Sequence, residues 1–180
     1  MKETRAEHLA VEKLRPFEGH PFKVVDNEEM DQLTWSILTR GLLTPLVVRP
    51  LDNGEYEVIS GHRRLHACKK AGIETVPALI YAIDRDAAAI ALVDSNLQRE
   101  HILPSEKAYA YKLKLEAMNH QGRTSGQVGQ KWTRDEIAEG ESGRQVQRYI
   151  RLTNLIPGIL QKVDEGRIAL TPAVELSYLT

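Results

Sequence analysis

The residues Tyr56-Glu57-Val58-Ile59-Ser60-Gly61-His62-Arg63-Arg64-Leu65-His66-Ala67-Cys68-Lys69-Lys70-Ala71-Gly72 carry the decisive pattern in this chain. Tyr56 to Ile59 is a short β-forming run, Gly61 interrupts it, and a helical segment runs on to Gly72, a residue suited to close it. A strand that ends in glycine and feeds directly into a helix presents backbone N–H groups at the positive end of the helix dipole, which makes an anion site. Arg63 and Arg64 occupy the first turn, where the dipole disfavours cations by roughly a few tenths of a kcal/mol. A polyanion bridging the N–H groups and the guanidinium forks would reverse that cost. The pattern is equally compatible with two arginines that reach into solvent and pair with nearby glutamates, because no Walker-type glycine-lysine loop occurs in the chain. His62 and His66 stand four apart, a metal-ligand spacing, yet no third ligand is suitably placed. The plainer reading puts His62 at the anion corner and His66 at or near the surface, with Cys68, beside Ala67 and Ala71, a buried and inert thiol.

Upstream, Leu46-Val47-Val48, the turn signal Asp52-Asn53-Gly54 and Tyr56 to Ile59 read together as a β-hairpin. Residues 26–41 carry a helix signal: Asp26 or Asn27 can cap it, Met30, Leu33, Trp35, Ile37 and Leu38 supply an apolar face, and Gly41 closes it. Downstream, Val76 to Tyr81 reads as a strand that Pro77 marks as an edge or a strand start. From Asp84 onward the strand signal ends. Helices are predicted over 86–100 and 105–119, the second opened by Pro104. A glycine-rich polar linker is predicted over Gln121 to Lys131, then short helices over 133–139, 142–152, 159–165 and 172–179. The last stops at Thr180 without a cap, so the natural protein is expected to continue.

Of 180 residues, 42% are hydrophobic and 27% charged, which supports a real core and excludes wholesale disorder. One cysteine excludes an intrachain disulfide framework. No apolar run approaches the ~18–20 residues that span a bilayer and the charged opening is no signal peptide, so the chain is read as soluble and cytoplasmic, with no membrane partner. A net charge of −1 offers no global reason to expect nucleic acid, so that case rests on where the charges sit.

They sit on the helix after Ser142. Ile137 and Ala138, then Ser142, Val146, Arg148 and Ile150, form two short amphipathic helices around a glycine-containing turn, as in a helix-turn-helix over about 133–152. With Val146, Tyr149 and Ile150 facing the core, Arg144, Gln145, Gln147, Arg148 and Arg151 point outward. Arginine reads guanine and glutamine reads adenine through bidentate bonds in the major groove. Ser142 can cap the helix and meet a phosphate there, while Arg123, Lys131 and Arg134 add flanking phosphate contacts. An ordinary solvated helix face is the competing reading.

The series Gly41-Leu42-Leu43-Thr44-Pro45-Leu46-Val47-Val48, Tyr56 to Ile59, Gly61 to Ala67, Ala71-Gly72 and Asn96-Leu97-Gln98-Arg99-Glu100, with Pro104 and Glu106, resembles the ParB family of plasmid and chromosome partition proteins. The resemblance runs from about Leu9 to the end. It implies an α+β fold: a small mixed α/β domain of the ParB/sulfiredoxin-like type over 1–102, then an all-α helix-turn-helix domain over 103–180, without the family's C-terminal dimerisation domain. It further implies a homodimeric, CTP-dependent DNA clamp that loads on double-stranded DNA at a centromere-like site, takes CTP with Mg2+, and works with a ParA-type ATPase, associated with nucleoid or plasmid. By the same resemblance Thr44, Gly61, His62, Arg63 and Arg64 hold the nucleotide, Asn96 contacts Mg2+, and Arg99 lies beside the triphosphate. Two motif glutamates are replaced, by His62 and Ser95, and the family's Gln-Pro-Arg stretch becomes His20-Pro21-Phe22. A carboxylate near a metal orients water or shares charge better than either substitute. Nucleotide binding is therefore expected with slow or absent CTPase turnover. The alternatives are a ParB-like transcriptional regulator without nucleotide switching, and a sulfiredoxin-like or other phosphoryl-transfer enzyme.

Overall fold

A computed structural model describes residues 4–124 and 141–179, with side-chain detail up to Gln121 and again from Glu141. The chain divides into two compact units, Met1–Ala88 and Ala89–Thr180. The division falls inside a helix, Arg85–Leu97, ahead of the sequence-based boundary at residue 102.

In the first unit five strands form one sheet: β1 (Thr4–Ala10), β2 (Leu14–Pro16), β3 (Leu46–Pro50), β4 (Tyr56–Ser60) and β5 (Thr75–Tyr81), in the order β1-β5-β3-β4-β2. β3 and β4 are the expected antiparallel hairpin, with Arg49 opposite Glu57 and Pro50 opposite Tyr56. Its turn closes through Leu51 N–H to Glu55 O at 2.8 Å, with Gly54 at φ +82. β5 is interior, antiparallel to β1 and parallel to β3, which corrects the edge assignment suggested by Pro77. The physical reason is local: pairing with β3 starts at Ala78, so at Pro77 the strand has β1 alone as its neighbour. β1 carried no recognisable strand pattern because its first five residues are exposed and polar or charged apart from Ala6.

Helix α1 (Glu28–Arg40) starts at Asn27, whose side-chain oxygen accepts from Met30 N–H at 3.2 Å, and ends at Gly41. It buries Met30, Thr34 and Ile37, whereas Trp35 (63% exposed) and Leu38 (57%) face outward, a correction to the predicted apolar face. Helix α2 (His62–Lys70) contributes Leu65, Ala67 and Cys68 to the core that also holds Leu14, Leu46, Val48, Val58 and Val76. Burial raises the Cys68 thiol pKa, in keeping with an inert thiol. The sheet also buries a charge pair: Arg49 Nε donates to Glu57 Oε2 at 2.6 Å, and Glu57 Oε1 accepts from Glu18 N–H at 3.1 Å.

The second unit is helical: the end of α3 (Arg85–Leu97), then α4 (Pro104–Thr124), α5 (Gly143–Arg151), α6 (Pro157–Asp164) and α7 (Leu170–Leu176). α4 begins at Pro104 as predicted, and Asp164 accepts from Ser105 N–H (2.9 Å) and Ser105 Oγ (2.6 Å), so α6 caps the start of α4. α4 extends through Gln121 to Thr124, the first residues of the predicted linker. Tyr111, Met118 and Val146 form one core cluster; Leu152, Leu155, Leu160, Val163 and Ala173 lie in another. Among the described residues no helix is long and apolar enough to cross a membrane.

Candidate functional site

β4 delivers the chain to Gly61 at φ +104, ψ 25, a left-handed conformation that side chains other than glycine rarely adopt. A Cβ there would lie 2.6 Å from Leu46 Cδ2 and 3.1 Å from Arg64 Nη2. Conformation and space both demand glycine. α2 begins at the next residue, and its N-cap is glycine, which has no side chain to cap it, so the first-turn N–H groups form the positive end of a helix dipole beside a tight glycine corner.

The two arginines of that turn differ. Arg63 Nη2 donates to Glu29 Oε2 at 3.0 Å in an exposed pair, so it follows the solvent-and-glutamate reading. Arg64 is half-buried: Nη1 donates to Thr44 O and to Pro45 O (2.9 Å), and burial lowers its pKa from the ordinary arginine value. Arg64 thereby latches the segment that carries Thr44 onto α2. It is not one of a pair of outward forks. Thr44 meets the corner through its backbone carbonyl.

His62 turns inward, 9% exposed, and its Nε2 accepts from Phe17 N–H at 3.2 Å while its ring stacks on His20 with centroids 3.7 Å apart. His66 instead lies 3.9 Å from Asp26. No group of three or more metal-ligating side chains occurs among the described residues. A pocket of about 220 Å³ opens beside this stack, lined by Pro16, His20, Val24, His62, Leu65, His66 and Lys69. Phe22, at the position of the missing motif arginine, is buried and meets His20 edge-on at 5.7 Å. His20 enters the sequence reading only as part of His20-Pro21-Phe22, with no site role; its neighbour His62 is 42 positions away, and no local pattern joins them.

Asn96, Ser95 and Arg99 belong to the second unit. Asn96 is buried; its Nδ2 donates to Leu92 O at 2.8 Å, which fixes the amide orientation and leaves Oδ1 as a buried acceptor with no hydrogen-bond partner among the described residues. An orphaned amide oxygen fits a hard cation such as Mg2+, whose ligands are oxygens. Ser95 is exposed and turns its hydroxyl back to Leu92 O at 2.9 Å; Arg99 is exposed at the end of this segment.

α5 starts where predicted. Ser142 Oγ accepts from Gln145 N–H at 3.3 Å, Val146 is buried, and Tyr149 and Ile150 pack beside it. Arg144 is exposed, and Gln145, Gln147, Arg148 and Arg151 are partly exposed. Arg148 and Arg151 are nevertheless engaged within the unit. Arg148 donates to Gln145 Oε1 (3.2 Å) and Thr171 Oγ1 (2.6 Å); Arg151 donates to Ser177 O (2.6 Å) and stacks on Tyr178 at 3.9 Å. The start of α5 is anchored by Glu141, which pairs with Lys107 and lies against Tyr111. Lys131, Arg134 and the predicted helix 133–139 lie outside the described residues, as does the side chain of Arg123.

The family model for the ParB N-terminal domain matches residues 1–97. A nucleoid occlusion protein of Geobacillus kaustophilus is 39% identical over 110 residues, 61% of this chain and 39% of that protein. The stage 0 sporulation protein J of Bacillus subtilis is 32% identical over 172 residues, 94% of this chain and 56% of that protein. The chain thus spans between 39% and 56% of the length of these relatives. Among solved structures, C-terminally truncated chromosome-partitioning ParB from Caulobacter crescentus, complexed to the centromeric parS site, has a TM-score of 0.60 at 25% identity and covers 95% of this chain, which covers 84% of it. The family model matches 97 of the 180 residues, so this chain belongs to the ParB family of partition proteins, and its first 97 residues are the family's N-terminal domain.

Proposed function

We propose that this chain is a DNA-binding partition protein that holds a cytidine triphosphate at the Gly61 corner and acts as a nucleotide-dependent clamp on a centromere-like DNA site. The observation that carries the nucleotide half is Gly61 itself: a left-handed residue with no room for a Cβ, which opens directly onto the start of α2 and has no side chain of its own to cap it. Backbone N–H groups there bind phosphate oxygens, and Arg63, whose guanidinium is paired with the exposed Glu29, is able to turn onto them. Arg64 acts by holding the Thr44–Pro45 backbone in place. Asn96 Oδ1 is the acceptor suited to Mg2+, and Arg99 is assigned beside the triphosphate by the family motif. When bound, the metal supplies charge neutralisation for the phosphates. His62 is committed to Phe17 N–H and supplies no carboxylate, so binding is proposed without turnover.

The DNA half rests on α5, with Ser142, Arg144, Gln145, Gln147, Arg148 and Arg151 on or beside its accessible face and Arg123 and Lys131 flanking it. Its support is the family and the parS-bound relative in Caulobacter crescentus. A homodimer and a ParA-type ATPase partner belong to the same proposal. Localisation follows the DNA. The second reading, a DNA-binding regulator without nucleotide switching, is favoured by one feature: Arg64 is already satisfied by Thr44 and Pro45.

The test is calorimetric titration with each of the four ribonucleoside triphosphates and Mg2+. CTP-selective binding that Arg63→Ala weakens about tenfold or more, with the melting temperature unchanged, supports the clamp; a lost bidentate charge-assisted contact accounts for that size. No binding of any nucleotide, with parS-type DNA binding intact, replaces it with the regulator.

A further inference from the structure

We propose that Thr171 is a positioning residue for DNA recognition, holding the Arg148 guanidinium of α5 in the orientation in which it meets DNA. The inference rests on the reading of α5 as the DNA-facing helix. Arg148 donates from Nη2 to Thr171 Oγ1 at 2.6 Å and from Nη1 to Gln145 Oε1 at 3.2 Å. An arginine has five N–H donors, so these two bonds leave three for a nucleic-acid acceptor. Both partners are neutral, and the positive charge of Arg148 is oriented without being cancelled. Arg151 makes the contrast: its guanidinium rests on a backbone carbonyl and on the face of Tyr178, and it serves the docking of the α7 segment.

Thr171 sits on α7 with an exposed side chain, so its hydroxyl satisfies no buried group and fills no core volume. What it does is restrict the rotamers of a long, flexible side chain before binding. An untethered arginine must be ordered when it meets DNA; a tethered one has lost that freedom when the unit folds.

The test uses the full chain and a duplex recovered with it by selection from a random pool. Dissociation constants are measured across a salt series for the wild type, Arg148→Ala, Thr171→Val, Thr171→Ser and the combined Arg148→Ala/Thr171→Val variant. Thr171→Val is expected to weaken binding roughly 2- to 10-fold, the size of one side chain's ordering cost. Melting temperature and salt slope stay as in the wild type, because neither core nor phosphate contact is lost. Thr171→Ser restores affinity, and adding Thr171→Val to Arg148→Ala costs nothing further. Wild-type affinity in Thr171→Val, or a further loss in the combined variant, overturns the positioning role. Wild-type affinity in Arg148→Ala overturns the reading of α5 on which it rests.

Discussion

Replacing Gly61 with alanine tests the corner on which the nucleotide reading depends. The backbone contribution comes from φ +104, which costs an L-residue about 1–2 kcal/mol. The steric contribution comes from a methyl group placed 2.6 Å from Leu46 Cδ2, a contact that forces a buried side chain to move and adds about 1–3 kcal/mol. The sum is about 2–5 kcal/mol. Gly54 is the control: it sits at φ +82 with nothing within 4 Å of its would-be Cβ, so Gly54→Ala reports the backbone cost alone, about 1–2 kcal/mol. The change in denatured-state entropy accompanies both substitutions and cancels in their difference. The assay is urea unfolding read from amide exchange in peptides spanning β3 to α2, which reports this unit by itself. Gly61→Ala is expected to fall below Gly54→Ala by at least about 1 kcal/mol, and the gap should narrow in a Leu46→Ala background, where the closest of the clashing groups is gone and the tighter-than-usual approach to Arg64 remains. Equal penalties at the two glycines, or a gap that Leu46→Ala leaves undiminished, would refute the steric account of the corner.

Two further outcomes follow from the buried polar groups. Arg49→Met leaves the Glu57 carboxylate buried against Glu18 N–H without its cation and should cost about 3–5 kcal/mol by urea unfolding, with most of the loss recovered when Glu57→Gln is added; no recovery would show that Arg49 acts through packing. Burial, with Glu141 beside it, raises the Tyr111 pKa above the ordinary value of about 10, so the unfolded chain releases this proton first. The stability contribution is complete below pH ~10 and is lost as pH rises above it. Urea midpoints of the second unit measured from pH 8 to 11 should fall less steeply in Tyr111→Phe than in the wild type, and parallel slopes would contradict the assignment.

Several of these features were legible along the chain. The β3–β4 hairpin, the Asn27 and Ser142 caps, Pro104 at the head of α4 and the strand–glycine–helix junction depend on residues within a few positions of one another, and local chemistry specifies them. Trp35 and Leu38 were misplaced because hydrophobicity alone does not say which stripe of α1 faces the core; Met30, Thr34 and Ile37, spaced four and then three apart, take that side. β1 escaped notice because an edge strand with exposed side chains has no apolar alternation, and its partner β5 lies some seventy residues away.

At the candidate sites the same division holds. Sequence alone determined that a strand–glycine–helix junction lies at Gly61 and that a helix beginning after Ser142 carries arginines and glutamines, since both follow from short-range dihedral, capping and periodicity rules. Only the tertiary structure decided what those side chains do. It turns His62 inward onto His20, ties Arg64 to the carbonyls of Thr44 and Pro45, leaves Asn96 Oδ1 without a partner among the described residues, and joins Arg148 to Thr171 and Arg151 to Ser177. An arginine's type fixes its charge and donors, but the acceptor it meets is set by which distant backbone or hydroxyl the fold brings within 3 Å, and no local rule contains that distance.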